Sequence, residues 1–323
     1  MHTFQELLEQ FERHFGGCTF PDHPATLYGP AQYILDLGGK RIRPVLCLMG
    51  MELFGELDED AFEVAVAVEL FHNFTLLHDD IMDKAPLRRG KPTVHTRYNE
   101  PAALLAGDTM LIYAYEHINS IRSPQLQRIL SVFNKTAIEV CEGQQLDMDY
   151  EQLHPQEVEM EQYLTMIRLK TSVLLAASLQ MGSILGGGSE GNLHHLYEFG
   201  KNLGIAFQIQ DDLLDAYGDP EKFGKQPGGD ILANKKTFLL VKAFALADAA
   251  QREQLSALLQ RRDGDKVAAV LRLFSACRVD EWARQEKEKY ACEARRHLEE
   301  IAVLSSRKKP LEALTDRLLN RES

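Results

Sequence analysis

The chain has 323 residues, 45% of them hydrophobic, with 48 acidic against 36 basic side chains and a formal net charge of −12. That length and apolar share suit a globular protein with a large core, and the negative balance excludes a nucleic-acid or anionic-membrane surface as the main partner. Five cysteines (Cys18, Cys47, Cys141, Cys277 and Cys292) lie far apart with no CxxC pair, which argues against a disulfide framework or a cysteine zinc site and points to a reducing cytoplasm.

In chain order, MHTFQELLEQFERHF opens as an amphipathic, acidic helix rather than a signal peptide. Apolar residues then recur at spacings of three and four over 61–77, 126–148, 161–185, 194–217 and 235–249, and the segment 288–319 reads as two further amphipathic helices. Breakers separate these runs: KAPLRRGKP, RSPQ, LHPQ, GGGSEG and GDPEKFGKQPGGD. No alternating strand or βαβ rhythm stands out, and no low-complexity linker divides the chain. The longest uncharged run without a breaker, Thr171 to Met181, falls short of the roughly 20 residues a membrane-spanning helix needs. The pattern predicts a single all-α domain over 1–323, built of about a dozen helices.

Two acidic clusters end two of these helices. LLHDDIMDKAPLRRGKP carries Asp79, Asp80 and Asp83, and FQIQDDLLDAYGD repeats the spacing with Asp211, Asp212 and Asp215. Residues four apart share a helix face, so Asp79 pairs with Asp83 and Asp211 with Asp215. Each pair repels by about 0.2–0.5 kcal/mol when exposed, and more when buried beside apolar neighbours. One DDxxD alone reads equally well as a solvated acidic face. Two copies, each followed by a Gly/Pro loop with basic residues, point to a bound cation. All-carboxylate donors suit magnesium, which keeps several waters and completes its shell with phosphate oxygens. A calcium EF-hand is excluded by the missing turn Gly and the missing twelfth-position Glu.

Basic residues flank both clusters. GGKRIRP supplies Lys40, Arg41 and Arg43; LRRGKP supplies Arg88 and Arg89; IRLKTS places Lys170 within an apolar helix; FGKQPGGDILANKK adds Lys225, Lys235 and Lys236. His72 stands nearly two turns before Asp79, on about the same face. Each has a plainer reading: a core histidine, a lysine snorkelling along an apolar face, a solvated arginine loop. No P-loop or GxGxxG accompanies them, so this is not a nucleotide cradle. The positive charge exceeds what one diphosphate requires and suggests two anionic substrates, at least one of them losing diphosphate.

Together GGKRIRP, HDDIMDKAPLRRGKPTVH, LAGD, GQQLD, KTS, FQIQDDLLD, GK and the final lysine resemble, in order and over nearly the whole chain, the trans-isoprenyl diphosphate synthases of the polyprenyl synthetase family, short-chain type. The resemblance implies a large helical bundle around a deep central cavity, usually in a homodimer, and three magnesium ions per active site. By it, Asp79, Asp83, Asp211 and Asp215 bind metal, with Asp80 in support. Arg88, Lys170, Lys225 and Lys235 hold an allylic diphosphate; Lys40, Arg43, His72 and Arg89 hold isopentenyl diphosphate; Thr171 and Gln208 face the developing allylic cation. Isopentenyl diphosphate then condenses with dimethylallyl, geranyl or farnesyl diphosphate.

In this family bulky residues upstream of the first DDxxD floor the cavity. Here they are Phe74 and Thr75, with Phe71 and Val68 one and two turns below Thr75. One Phe followed by Thr implies an intermediate stop, geranylgeranyl diphosphate, with farnesyl diphosphate the alternative. A class I terpene cyclase would share the first motif but mixes Asn, Ser and Glu in the second. A non-catalytic partner subunit would tend to lose one acidic motif.

Overall fold

Thr3 starts the first helix. Its hydroxyl accepts the Glu6 N–H while the Glu6 carboxylate accepts the Thr3 N–H, a capping box that opens α1 (Phe4–Phe15). This computed structural model describes residues 1–18, 20–218, 228–261 and 265–320. It divides into two compact units: Met1–Lys135, Ala177–Leu196 and Ala302–Pro310 form the first; Thr136–Ala176, Tyr197–Ile301 and Leu311–Ser323 form the second.

The first unit holds α1, α2 (Ala25–Asp36), α3 (Ile42–Glu52), α4 (Glu59–Met82), α5 (Val94–Arg97) and α6 (Glu100–Ser120). Asp58 caps α4 by accepting the Ala61 N–H. From Val64 to Phe71 every α4 residue is buried, all of them apolar except Glu69, and the helix packs between α3 and α6. Each fully buried Val, Leu or Phe there contributes about 1.5–3 kcal/mol. α3 also meets Leu179–Gly186 at backbone distance: a Cβ on Gly182 would stand 1.8 Å from the Cys47 carbonyl oxygen. Only glycine admits that approach.

Arg41, in the left-handed conformation at φ 48°, turns the chain into α3. Its buried guanidinium donates to Glu69, to Glu12 at 3.0 Å and to the Leu35 carbonyl at 3.3 Å. Asn73 donates to the same Glu69 carboxylate at 2.9 Å. A paired, buried charge network thus holds the GGKRIRP loop against α4.

After α4 the chain forms a hairpin that the sequence pattern does not signal. β1 (Leu87–Arg88) and β2 (Lys91–Pro92) pair antiparallel, joined by Arg89 and Gly90 at φ 54° and 75°. Positive φ at both turn positions matches strand twist, and strands two residues long cannot show an alternating pattern.

α7 (Leu126–Gln152), α9 (Val173–Leu185) and α10 (Glu190–Tyr217) have residues in both units. The second unit also holds α8 (Met160–Ile167), α11 (Gly229–Leu232), α12 (Phe238–Leu246), α13 (Ala249–Leu259), α14 (Lys266–Ala276) and α15 (Val279–Glu299), while α16 (Ser305–Leu319) again spans both. Its core gathers around Phe238, Phe244, Val270 and Phe274, with Trp282 stacked on Phe238 at 4.7 Å.

The run 161–185, continuous in its apolar spacing, is interrupted. Arg168–Ser172 form a π-helical turn between α8 and α9. Gly143 of α7 lies against it so closely that a Cβ would stand 2.2 Å from the Lys170 nitrogen, and a Cβ on Gly204 of α10 would reach within 2.7 Å of Ser172 Cα. Such turns are rare and often sit at functional positions. Among the described residues no helix is long and apolar enough to cross a membrane.

Candidate active site

The first acidic cluster occupies the end of α4, where helix periodicity sorts its members. Asp80 points inward and is 3% exposed, with both oxygens held by one fork: Arg88 Nε to Oδ2 at 2.7 Å and Nη2 to Oδ1 at 2.8 Å. Asp79 is partly exposed, 3.9 Å from the same guanidinium, and Asp83 is exposed at the helix end. The hairpin explains the fork, because its fixed turn brings Arg88 back over α4.

On the same helix His72 faces a group of cations. Arg43 Nη1 lies 3.1 Å from His72 Nε2. A guanidinium can only donate, so Nε2 accepts and the ring proton sits on Nδ1. Burial, then the charges of Arg43, Arg89, Arg88 and Arg41, hold the imidazole well below its ordinary range. Burial likewise brings Arg43 down to about 10, although Glu69 pulls it back up. The Arg43 Nε is buried without a hydrogen-bond partner. Arg89 packs on Gly39, where a Cβ would meet its Nη2 at 3.0 Å, and Lys40 beside it is exposed. Cations this crowded, one with an orphaned donor, form a group that an anion would neutralise.

The residues expected to floor the cavity also lie on α4. Phe71 and Phe74 are 1% and 9% exposed with ring centroids 5.6 Å apart. Phe71 meets Phe133 edge-on at 5.3 Å, and Phe74 meets His78 at 4.7 Å. Val68 is fully buried, and the Thr75 hydroxyl is turned back to donate to the His72 carbonyl at 2.8 Å.

In the second unit the other acidic cluster divides in the same way. Asp212 is the buried member, 4% exposed. Its Oδ2 accepts from the Phe238 N–H at 2.9 Å and the Tyr163 hydroxyl at 3.4 Å, and its Oδ1 from Gln208 Nε2 at 3.0 Å. Burial pushes its carboxyl up to about 6. Asp211 and Asp215 are partly exposed. Asp215 Oδ2 accepts the Asp230 N–H at 3.0 Å, which ties α11 to the end of α10. Because a carboxylate only accepts, the nitrogen of the Gln208 amide faces Asp212 and its oxygen is turned away.

Lys170, in the π-helical turn, donates to Asp147 of α7 at 2.6 Å. Asp147 was not marked as a site residue by its chemistry, although it closes the GQQLD segment that Gly143 opens. Four residues apart, the two share a helix face, and that spacing is the signal that could have found it. Thr171 follows Lys170 in the same turn and is partly buried. Lys235 is exposed and Lys236 donates to the Glu151 carbonyl at 2.6 Å; Lys225 lies outside the described residues.

Each cluster therefore presents an i, i+4 pair of carboxylates outside one buried aspartate fixed by hydrogen bonds. An all-oxygen donor set with room for water fits magnesium and does not fit a thiolate- or imidazole-seeking ion.

A family model described as polyprenyl synthetase matches residues 24–276. The geranylgeranyl pyrophosphate synthase of Geoglobus acetivorans is 39% identical over 303 residues, which cover 93% of this chain and 92% of that one. A short chain isoprenyl diphosphate synthase of Methanocaldococcus jannaschii is 42% identical over 246 residues, 76% of this chain and 74% of the relative. Among solved structures, a geranylgeranyl pyrophosphate synthase superposes with a TM-score of 0.93 at 42% identity, covering 100% of both chains.

Proposed function

We infer the reaction from one premise: this chain belongs to the polyprenyl synthetase family and is a trans-prenyltransferase. It condenses isopentenyl diphosphate head-to-tail with an allylic diphosphate (dimethylallyl, geranyl or farnesyl) and releases diphosphate. The observation that carries this reading is that His72 of α4 pairs with Arg43 of α3, whose Nε is an orphaned buried donor, and that α4 itself ends in the first carboxylate pair. An anion pocket to which α4 contributes His72, and a cation ledge at the end of that same helix, suit a diphosphate substrate beside metal.

We propose that Asp79, Asp83, Asp211 and Asp215 hold three magnesium ions, with Asp80 fixing Arg88 in support. When bound, magnesium supplies charge neutralisation for the departing diphosphate. Arg88, Lys170, Lys225 and Lys235 bind the allylic diphosphate. Arg88 spends Nε and Nη2 on Asp80, so it offers Nη1. Lys170, anchored by Asp147, offers charge from a fixed position. Lys40, Arg43, His72 and Arg89 hold isopentenyl diphosphate, whose double bond attacks the allylic carbon as its C–O bond breaks. The Thr171 and Gln208 side-chain oxygens face the developing cation. The proton lost from the isopentenyl unit passes to the released diphosphate. Apolar walls, Phe71 and Phe74 among them, exclude the water that would quench the cation.

Geranylgeranyl diphosphate is the proposed product. Its support is the floor, where one aromatic, Phe74, stands before the smaller Thr75, together with the geranylgeranyl names of relatives at this identity. Exposed Leu105 and Ile112, one heptad apart on α6, support a homodimer, and five free cysteines suit a reducing cytoplasm. The test is incubation of the purified protein with magnesium, isopentenyl diphosphate and each allylic primer in turn, with product length read by mass spectrometry. A twenty-carbon end product from all three supports the reading. A fifteen-carbon stop replaces the product, and no elongation by folded protein rejects the activity.

A further inference from the structure

A second set of metal-ligating side chains lies away from the aspartates, where the end of α1 meets the start of α4. His14, Glu59 and Glu63 each offer one donor atom, and these atoms all lie within 4.8 Å of one another. His14 Nδ1 is 3.6 Å from Glu59 Oε1, and His14 Nε2 is 3.4 Å from Glu63 Oε1. Nδ1 and Nε2 are opposite nitrogens of one ring, and one ion takes only one of them; two ligands bonded at 2.0–2.1 Å to one tetrahedral ion stand roughly 3.3–3.4 Å apart, so His14 Nε2 and Glu63 Oε1 are already at ligand spacing. Only the mostly exposed Glu59 side chain has to close in.

Two further observations separate this trio from an ordinary ion pair. The His14 Nε2 is buried and has no hydrogen-bond partner, although a carboxylate stands 3.4 Å away; the approach lacks hydrogen-bond geometry. The Glu63 carboxylate, moreover, is held from behind. His117 Nδ1 lies 2.6 Å from Oε2, and the Ser120 hydroxyl donates to that oxygen at 3.1 Å, so Oε1 is directed toward His14. Outer partners of this kind orient a ligating carboxylate and fix its basicity. Glu63 and His117 also line a cavity of about 410 Å³ with Glu116 and Cys18, so the Glu63 side of the trio borders open space. The charges of Glu63 and Glu59 add to burial in raising the Cys18 thiol, evidence that the cavity is electronegative.

We propose that His14, Glu59 and Glu63 form a divalent transition-metal site, with His117 as a positioning residue, and that the ion fastens α1 to α4. The imidazole sets its chemistry apart from the all-oxygen aspartate ledges: mixed nitrogen and oxygen donors favour zinc or cobalt over magnesium. The sequence shows no zinc signature because the ligands come from two helices far apart in the chain.

The experiment uses the full chain stripped of metal and then held in excess Mg²⁺, which occupies oxygen-only sites. Co²⁺ is added as a spectroscopic probe and Zn²⁺ as a competitor. The expected result is one equivalent of Co²⁺ with the visible bands of a low-coordinate, nitrogen-ligated ion, displaced by Zn²⁺. A Zn²⁺-dependent rise in unfolding temperature accompanies it. E59Q, altered at an exposed position, and H14Q each weaken binding at least tenfold; H117Q weakens it about tenfold without abolishing it. Wild-type binding in both H14Q and E59Q places the ion elsewhere and overturns the proposal. Absence of Co²⁺ and Zn²⁺ binding by the wild type overturns it equally, leaving an ion-pair cluster.

Discussion

Lys170 and Asp147 meet at 2.6 Å in the second unit, the lysine from a π-helical turn and the aspartate from α7, one turn after the glycine that lets that turn approach. The contact fixes a long, otherwise mobile side chain, and in low dielectric such pairing holds geometry as much as energy. Asp147→Asn should therefore keep the fold and loosen the lysine. The expected effect is about a tenfold rise in KM for the allylic substrate, in the range of losing one charge-assisted hydrogen bond. Steady-state kinetics with geranyl diphosphate varied checks it; an unchanged KM removes Asp147 from the positioning of Lys170.

Asp80 and Arg88 should behave as a coupled pair. Removing either partner from this bidentate contact costs about 1–3 kcal/mol, because Asp80 is buried while Arg88 is partly solvated. Unfolding of D80N, R88Q and the double variant measures the interaction. A coupling energy of about 1–3 kcal/mol is expected, and additivity within error rejects the pairing.

The two aspartates at 211 and 212 should separate cleanly. Asp211→Ala is expected to lower turnover at least a hundredfold while keeping an unfolding midpoint close to wild type. Asp212→Ala leaves the Phe238 N–H and the Tyr163 hydroxyl without their acceptor, and costs about 2–4 kcal/mol of stability. Chemical denaturation and turnover measured on both variants decide; equal stability losses contradict the division.

His72 should make the protein acid-sensitive. Its folded pKa is held well below 6.5, the value of the unfolded chain, so the unfolded state binds the extra proton as pH drops. Stability from this group is present above that value and is lost progressively as pH falls below it. H72Q removes the titration, so the stability of wild type relative to H72Q should decline from pH 7 to pH 5. A difference that stays flat with pH rejects the enclosed neutral imidazole.

Phe74→Ala should lengthen the product by at least one isoprene unit, since it removes a ring packed between Phe71 and His78. Mass spectrometry of the reaction products checks it, and an unchanged profile takes Phe74 out of the floor.

Helix content and the two DDxxD segments were legible because both depend on local spacing, of 3.6 residues in one case and of four in the other. Which aspartate of each adjacent pair would be buried was not, since Asp80 is claimed by Arg88 from a hairpin and Asp212 by the first N–H of α12, both distant contacts. The hairpin itself was invisible because its strands are too short to alternate. The π-helical turn left the apolar rhythm of 161–185 intact, and only the glycines at 143 and 204, on other helices, betray it. Spacing alone does not group Lys40, Arg43, His72 and Arg89, which only the family resemblance joins at one substrate; the structure places Arg43, His72 and Arg89 in one electrostatic neighbourhood.

The Arg89–Gly90 turn bears on how this protein tolerates change in length. Loops usually absorb insertions and deletions at little cost. Here a residue added between Arg88 and Lys91 would abolish the two-residue turn, and in a strand one step of register reverses the side on which a side chain stands. Arg88 would then point away from Asp80, so this exposed loop should be as intolerant of indels as a packed core.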